Sequence, residues 1–402
     1  RSSAAAVAFS LVPLLLVVHV SDGMIEGIVD RFVELGTAHL QVRATGARSV
    51  DAGSSALSAL RDHPAVSSVV TEVRGLALAS GPSGERQGVE IRGLDPEWLE
   101  IDRRAAELLM LKAGSMRLGP GEAMLASAVA DRLGVGPGDE VVLLTLRERG
   151  GRQAPRVRRL RVTAVVSSGY QALDASWVFA SRTDAEFLLD RNQRDTLVRV
   201  KLDDRGRITT PLSPGSDPGI LRELQAGLGT EYRLLTWYDL SRAQFNGLLQ
   251  TRRVLLVIMA MLILVAVTTV AAGLLSMAHE HRDDFAILEA SGGLRVPQGV
   301  MLVSACIIGA SGGLAGTAIG SLLSLLINGI IGTLDWLVTA LGFQAGIGRE
   351  LYLAEIPVQL SAWDLVWPTL LSVGVAIIAA LVPIRRHRAR SLAVRLRASR
   401  SA

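Results

Sequence analysis

The sequence predicts an α-helical membrane protein with four transmembrane helices in a one-plus-three arrangement and a large α+β domain outside the membrane. Two observations carry that expectation. Apolar runs occupy residues 4–20, 254–277, 299–331 and 365–383, and a helix needs about 20 such residues to cross a hydrocarbon core of about 30 Å. About 230 residues of soluble-looking sequence separate the first run from the other three. The 402 residues are 49% hydrophobic yet 20% charged, an average over two unlike regions.

Residues 1–36 read as the first transmembrane helix with a helical extension beyond it. No small-x-small cleavage site follows Val20, and Met24, Ile25, Ile28, Val29, Phe32 and Val33 continue at helical spacing. The chain opens at Arg1 without a methionine and almost inside this run, so the natural protein is expected to begin earlier.

Residues 37–240 alternate strand-like and helix-like patterns. Residues 39–43, 66–79, 89–93, 139–146, 160–167 and 197–202 are rich in Val, Leu and Thr, whereas 55–62, 127–133, 184–190 and 218–228 have helical spacing, with Asp217 placed to cap the last. That is an α+β domain, and the Pro/Gly/Ser-rich stretch 210–219 suits a loop or the boundary of a second lobe. The glycines of 133–139 run from a helix into a strand, the reverse of a phosphate-cradling loop, and lack its GK[ST] ending, so a tight turn is expected. Residues 147–159, RERGGRQAPRVRR, are too long and polar for a simple hairpin. Two readings stay open there. One is a solvated loop; the other is a basic finger of Arg147, Arg149, Arg152, Arg156, Arg158 and Arg159 that docks an acidic partner.

The remaining segments are a second transmembrane helix with a stalk (241–278), a loop (279–296), a third helix (297–332), an outer loop (333–363), a fourth helix (364–384) and a basic tail (385–402). That tail carries Arg385, Arg386, Arg388, Arg390, Arg395 and Arg397, which retain it in the cytoplasm and place the large domain outside. The 278–296 loop, with only Arg282 and Arg295 against four acidic residues, would not by itself have predicted cytoplasm. A pI of 9.7 does not point to nucleic acid, because the basic residues cluster only in the tail.

Gly309, Gly312, Gly313, Gly316 and Gly320 give overlapping small-x-x-x-small pairs, a helix-packing face. Residues 309–312 also spell the GxSG of intramembrane serine proteases, but the one membrane-embedded histidine, His19, lies near the far end of another helix. The six histidines are scattered and Cys306 is alone, so neither a metal centre nor an internal disulfide is expected. Ionisable groups are nearly absent from the helix middles, which argues against an ion-coupled carrier and requires energy to enter elsewhere. Residues 281–293, HRDDFAILEASGG, form a short amphipathic helix stopped by glycines, and Phe285, Ile287 and Leu288 can insert into a groove on a soluble partner or lie on lipid headgroups. Phe245, Leu248 and Leu249 lie at helical spacing before the membrane, suited to packing or to an acyl chain. Ser361 and Asp364 make a capping box for the fourth helix.

These residues resemble the lipoprotein-releasing (Lol) permeases, within the wider group of macrolide-exporter and FtsX-like permeases. Residues 236–292 are similar to the family's W-x-x-x-N-x-x-x-F-x-A-L segment, second helix and D-I-A-I-L-R-x-x-G motif. Residues 128–143 resemble A-x-x-L-G-V-x-x-G-D-x-V-x-L, and Gly169 and Asp174 match a G-x-x-x-x-D turn. Residues 352–364 and 383–396 look like the closing Y-x-x-x-x-P-V segment and the P-x-x-x-A tail. The resemblance implies a bacterial inner-membrane permease with a periplasmic domain, paired with a second permease copy or paralogue. Such a complex extracts lipoproteins and passes them to a periplasmic lipoprotein carrier. ATP and Mg would sit on a separate cytoplasmic ABC ATPase, since this chain has no Walker sequence. The family's coupling helix falls on Asp283, Asp284, Phe285, Ala286, Ile287, Leu288, Glu289 and Gly292, and its carrier-holding finger on 147–159. Two departures stand out: Asp283 and Glu289 replace residues that are usually basic, and the finger is short. The rival expectations are an FtsX-like regulator of a cell-wall hydrolase and an exporter of a small amphiphile.

Overall fold

The computed structural model describes residues 2–45, 55–149, 152–190, 192–203, 218–280, 287, 295–341, 358, 363 and 366–381. Its chain divides into two compact units, one holding Ile25–Asn246 and Leu337–Glu355, the other Arg1–Met24, Gly247–Trp336 and Ile356–Ala402.

The first unit opens with the end of a helix, α1 (Ser2–Arg31), which from Ile25 belongs to it and gives way to a π-helical turn, Phe32–Thr37, before the first strand. The strands are β1 (Leu40–Ala44), β2 (Val66–Ser80), β3 (Arg86–Leu94), β4 (Met110–Gly114), β5 (Glu122–Ala126), β6 (Glu140–Arg149), β7 (Arg152–Ser167), β8 (Trp177–Ser181), β9 (Asp195–Leu202) and β10 (Tyr232–Thr236). They form a ten-stranded sheet in the order β10-β1-β9-β2-β3-β8-β5-β7-β4, with β6 pairing with β2 and β7. Between them lie α2 (Ser55–Arg61), α3 (Trp98–Ile101), α4 (Arg103–Leu108), α5 (Ser127–Leu133), α6 (Gln171–Asp174), α7 (Arg182–Leu188) and α8 (Pro218–Leu228).

The order β10-β1-β9-β2 is a split βαβ: β1-α2-β2 and β9-α8-β10 interleave, every neighbouring pair antiparallel. Its core is Leu40, Val42, Leu57, Val200, Leu224 and Leu228. A second lobe is inserted between β2 and β9, around Ile91, Trp98, Leu125, Leu143 and Phe179, where the Trp98 and Phe179 rings stack at 5.8 Å. The long β2 belongs to both lobes. Residues 204–217, with the anticipated boundary loop and Asp217, fall outside the described residues.

Four strands had no counterpart in the sequence reading. β4 is exposed along its whole length, β5 is made of Glu, Ala, Met and Leu that favour helix, β8 is buried at all five positions and so lacks alternation, and β10 is short. Residues 147–159 are corrected from a long loop to a hairpin: β6 and β7 stay paired from Glu140↔Arg161 to Arg149↔Arg152. One face of this ribbon lies against α7 through Thr145, Arg156 and Arg158, while Leu146 and Val157 on the other face are exposed, so neither strand shows a simple apolar-polar alternation. The 133–139 segment is a tight turn: Gly134 caps α5 at φ 63°, and the Asp139 carboxylate accepts from the Gly136 amide at 2.8 Å.

The second unit contains α9 (Trp237–Glu280) beyond its first turns, α10 (Arg295–Leu325), most of α11 (Ile327–Ala340) and α12 (Val366–Leu381). Among the described residues three helices are long and apolar enough to cross a membrane, over Ala4–Thr37, Trp237–Ser276 and Gln298–Leu325, and Val366–Leu381 is a shorter apolar helix. The stretch expected as an outer loop from residue 333 is helical to Ala340. Val7, Leu11, Val270, Leu274, Ala305, Ala376 and Ala380 form this unit's core.

Candidate functional site

The sequence reading missed the most distinctive feature of the domain, a buried ionic core where the sheet meets the π turn. A π turn leaves carbonyl groups without their usual intrahelical partners. Here cationic side chains from the sheet take them. Arg199 on β9 donates to the Glu34 carbonyl at 2.8 Å, and Arg92 on β3 donates to the Leu35 carbonyl at 2.7 Å. Arg74 on β2 donates to the Gly36 carbonyl.

Carboxylates neutralise these cations from within. Glu72, fully buried on β2, receives Arg92 and Arg74, the latter at 2.9 Å to each oxygen. Lys201 on β9 lies 2.8 Å from Glu34 and 2.5 Å from Asp102, whose other role is to cap α4 through the Ala105 amide at 3.1 Å. Because the Leu202 amide donates to His39 Nδ1 at 2.9 Å, the ring hydrogen sits on Nε2 and is donated to Glu34 at 3.2 Å. The Arg92 guanidinium also lies 4.1 Å over the Trp177 ring.

The protonation equilibria follow from this packing. Burial alone would raise the Glu72 carboxyl, but the neighbouring Arg74, Arg92 and Arg199 charges hold it well below the usual carboxylate range. Burial, with Arg92 and Arg74 as like charges, pushes Arg199 down to about 10 against the pull of Glu72 and Asp102. Lys201 is lowered as well, by burial and then by Arg199. This arrangement contains no nucleophile poised beside a base. It is a grip: one face of the sheet holds the turn that continues α1.

A second tie holds the domain's other chain end close to the same turn. β10 pairs with β1 in the register Leu40↔Thr236, and the Trp237 amide donates to the His39 carbonyl at 3.1 Å. The start of α9 is thereby fixed beside the end of the π turn, residues almost 200 apart in the chain brought to adjacent strands.

The residues singled out from sequence fall in several places. Asp283, Asp284, Phe285, Ala286, Leu288, Glu289 and Gly292 lie outside the described residues, as do Ser361 and Asp364; Ile287 is helical and 68% exposed. On the hairpin, Arg158 pairs with the buried Asp184 at 2.7 Å and Arg147 with Asp190 at 3.4 Å. Arg156 donates to the Phe187 carbonyl and stands over its ring. Arg147 and Arg158 therefore already have carboxylate partners within the domain. Arg159 is exposed, and Arg149 and Arg152 close the described part of the ladder. Phe245 is 2% exposed, edge to face with Trp237 and Tyr238, so it presents no surface to an acyl chain; Leu248 and Leu249 are half-buried.

On α10, a Cβ at Gly312 would lie 2.6 Å from the Ala4 carbonyl oxygen, at Gly316 2.9 Å from Ala8 Cα and at Gly320 3.0 Å from Leu15. At Gly309 it would lie 2.8 Å from Val373 Cα, and at Gly313 it would overlap Ser372. The glycines therefore seat α1 on one side and α12 on the other. Ser311 donates to the Ile307 carbonyl within its own helix at 2.6 Å, and His19 bonds Ser324 at 3.1 Å instead.

The chain matches the model of the MacB-like periplasmic core domain over residues 3–210. The periplasmic region of MacB from Actinobacillus actinomycetemcomitans is similar at 14% identity and a TM-score of 0.32, covering 52% of this chain and 94% of that one. The extracellular domain of the noncanonic ABC-type transporter YknZ from Gram-positive bacteria is similar at 15% identity and a TM-score of 0.32, covering 49% and 99%. No curated protein matches the chain. With half of its length matched, the chain belongs to the family of ABC-type permeases that carry a MacB-like periplasmic core domain.

Proposed function

We propose that this chain is the permease subunit of an ATP-driven complex that extracts lipoproteins from the inner membrane and delivers them to a periplasmic carrier. As a membrane transport subunit of its family it works with a cytoplasmic ABC ATPase. In this reading four helices cross the membrane, the 279–296 loop is gripped by the ATPase, and a second permease copy or paralogue completes the complex.

The observation that supports it best is the ionic grip on residues Glu34 to Gly36, together with the β1–β10 pairing. Both chain entries to the large domain are fixed to its sheet, so a displacement of α1 or α9 has to move the sheet rather than be absorbed in a slack linker. Function is then conformational, with the hydrolysis step on the partner and the load outside. The resemblance of 236–292 to the lipoprotein-releasing permeases is what supports this cargo class.

The test is to purify the complex from its native membrane in mild detergent and identify what accompanies it. An acylated protein released to the soluble phase on ATP addition supports the proposal. A cell-wall hydrolase bound to the domain, or ATP-dependent loss of a small amphiphile with no acylated protein, would replace it.

A further inference from the structure

We infer that α11 is an interfacial helix whose apolar stripe docks into the lipid leaflet that α10 leaves. The starting point is length. From Arg295 to Ala340 the chain is helical except at Leu326, and α10 with its 31 residues already exceeds what a bilayer core requires. Helical hydrogen bonds persist on either side, from the Leu326 amide to Leu322 and from the Ile330 amide to Leu326, but the regular ladder is broken between them. The 14 residues of α11 span about 21 Å, too short to cross back.

The pattern along α11 is amphipathic. Leu326, Ile330, Leu334, Leu337 and Leu341 recur at spacings of four, four, three and four, which places them on one helix face, while Asn328, Asp335 and Thr339 fall on the opposite one. Leu334 is 46% exposed, Leu337 47% and Leu341 66%. Asp335 is the sole residue of the Asp, Glu, Lys, Arg and His types between Arg295 and Ala340. An uncharged stripe of this kind, leaving a membrane helix after one irregular residue, finds its apolar cover in the adjoining lipid.

Exposed tryptophans stand on either side of the following connection in the chain. Trp336 on α11 is 72% exposed, and Trp363, three residues before α12, is 67% exposed. Indole rings favour the boundary between headgroups and acyl chains, and Trp336 stands within α11 itself. The lipid contact is independent of what the permease carries.

The experiment uses the full chain with its ATPase, reconstituted in phosphatidylethanolamine/phosphatidylglycerol vesicles. Single cysteines replace Leu334, Leu337, Leu341, Asp335 or Thr339 in a Cys306→Ser background and carry an environment-sensitive fluorophore. Lipid-borne nitroxide is expected to quench probes at 334, 337 and 341 at least about twofold more than those at 335 and 339, with aqueous iodide giving the reverse order. Equal iodide quenching at all positions would overturn the inference, as would protection of the stripe from both quenchers, the signature of a protein cover such as a second copy. Three probes on the stripe keep the result readable if one variant fails to assemble.

Discussion

Arg92 grips Glu72 through two parallel hydrogen bonds, Nε to Oε1 at 2.5 Å and Nη2 to Oε2 at 3.0 Å, with both side chains buried. Fork-on-fork geometry of this kind is the strongest form of ion pair, yet its desolvation cost means that the pair is a poor source of net stability. What it supplies is position, because Arg92 must reach Leu35 and Glu72 at once. Glu72→Gln keeps the shape and removes the charge, leaving Arg74, Arg92 and Arg199 without their shared counter-ion. The expected loss is about 3–5 kcal/mol. A lower urea midpoint of the purified subunit, followed through tryptophan fluorescence, checks it.

The same carboxylate gives a pH dependence whose sign is fixed. Glu72 is held below its ordinary value of 4.5 in the folded protein, so the unfolded chain takes up its proton first as pH falls. Its contribution is fully present above pH 4.5 and is lost as the solution becomes more acidic. The urea midpoint of the wild type should therefore fall more steeply below pH 4.5 than that of Glu72→Gln. Arg199, lowered to about 10, acts in the same sense at the alkaline end: above about 10 the unfolded chain holds the extra proton, and this group alone makes stability rise with pH there.

Close helix contact in the second unit rests on missing side chains. Gly312→Leu would drive a side chain into Ala4 and Val7, and Gly316→Leu into Ala8 and Leu11. Each should cost about 1–3 kcal/mol, seen as a lower melting temperature of the detergent-solubilised protein. Gly299→Ala on the same helix meets nothing within 4 Å and should leave the melting temperature unchanged or slightly higher.

These glycines and the ionic core show why one part was legible in the sequence and the other was not. Gly309, Gly312, Gly313, Gly316 and Gly320 lie on a single helix, so their spacing alone places them on neighbouring faces. Glu34, Glu72, Arg92 and Asp102 come from four separate elements, and only Arg199 and Lys201 share one, β9; only the sheet order brings β9 and β3 to either side of β2. A weak signal did exist. Charged residues inside otherwise apolar strands, Glu72 in β2 and Lys201 in β9, contradict the pattern around them, and buried charges require partners. The two lobes were readable only as alternating strands and helices, because the interleaving of β1-α2-β2 with β9-α8-β10 depends on pairs as distant in the chain as Val66↔Leu202 and Leu40↔Thr236.

Within the hairpin, arginines of similar sequence context divide by function. Arg158→Ala strips the buried Asp184 of its cation, although Ser181 and Gly121 still donate to it, so a loss of about 1–2 kcal/mol is expected. Arg159→Ala, at an exposed position, should stay within about 0.5 kcal/mol of the parent. A carrier that docks here would reveal itself by weaker binding to Arg159→Ala at unchanged stability, measured by pull-down beside a denaturation curve.

Coupling to the ATPase gives the sharpest test of the proposed direction of energy flow. Asp283 and Glu289 reverse the charge usual in the resembling permeases, and a helix that keeps Phe285, Ile287 and Leu288 for insertion needs a groove of matching sign. The cognate ATPase groove should thus be unusually basic around an apolar pocket. Replacing Asp283 and Glu289 together by arginine should lower the ATPase recovered with the tagged permease, most strongly at low salt, where surface charges act at longer range. Phe285→Ala, which changes no charge, should reduce recovery about equally at low and high salt. Better assembly of the double arginine variant would contradict the charge match while leaving the apolar insertion standing, whereas insensitivity to both changes would move the coupling contact away from this loop.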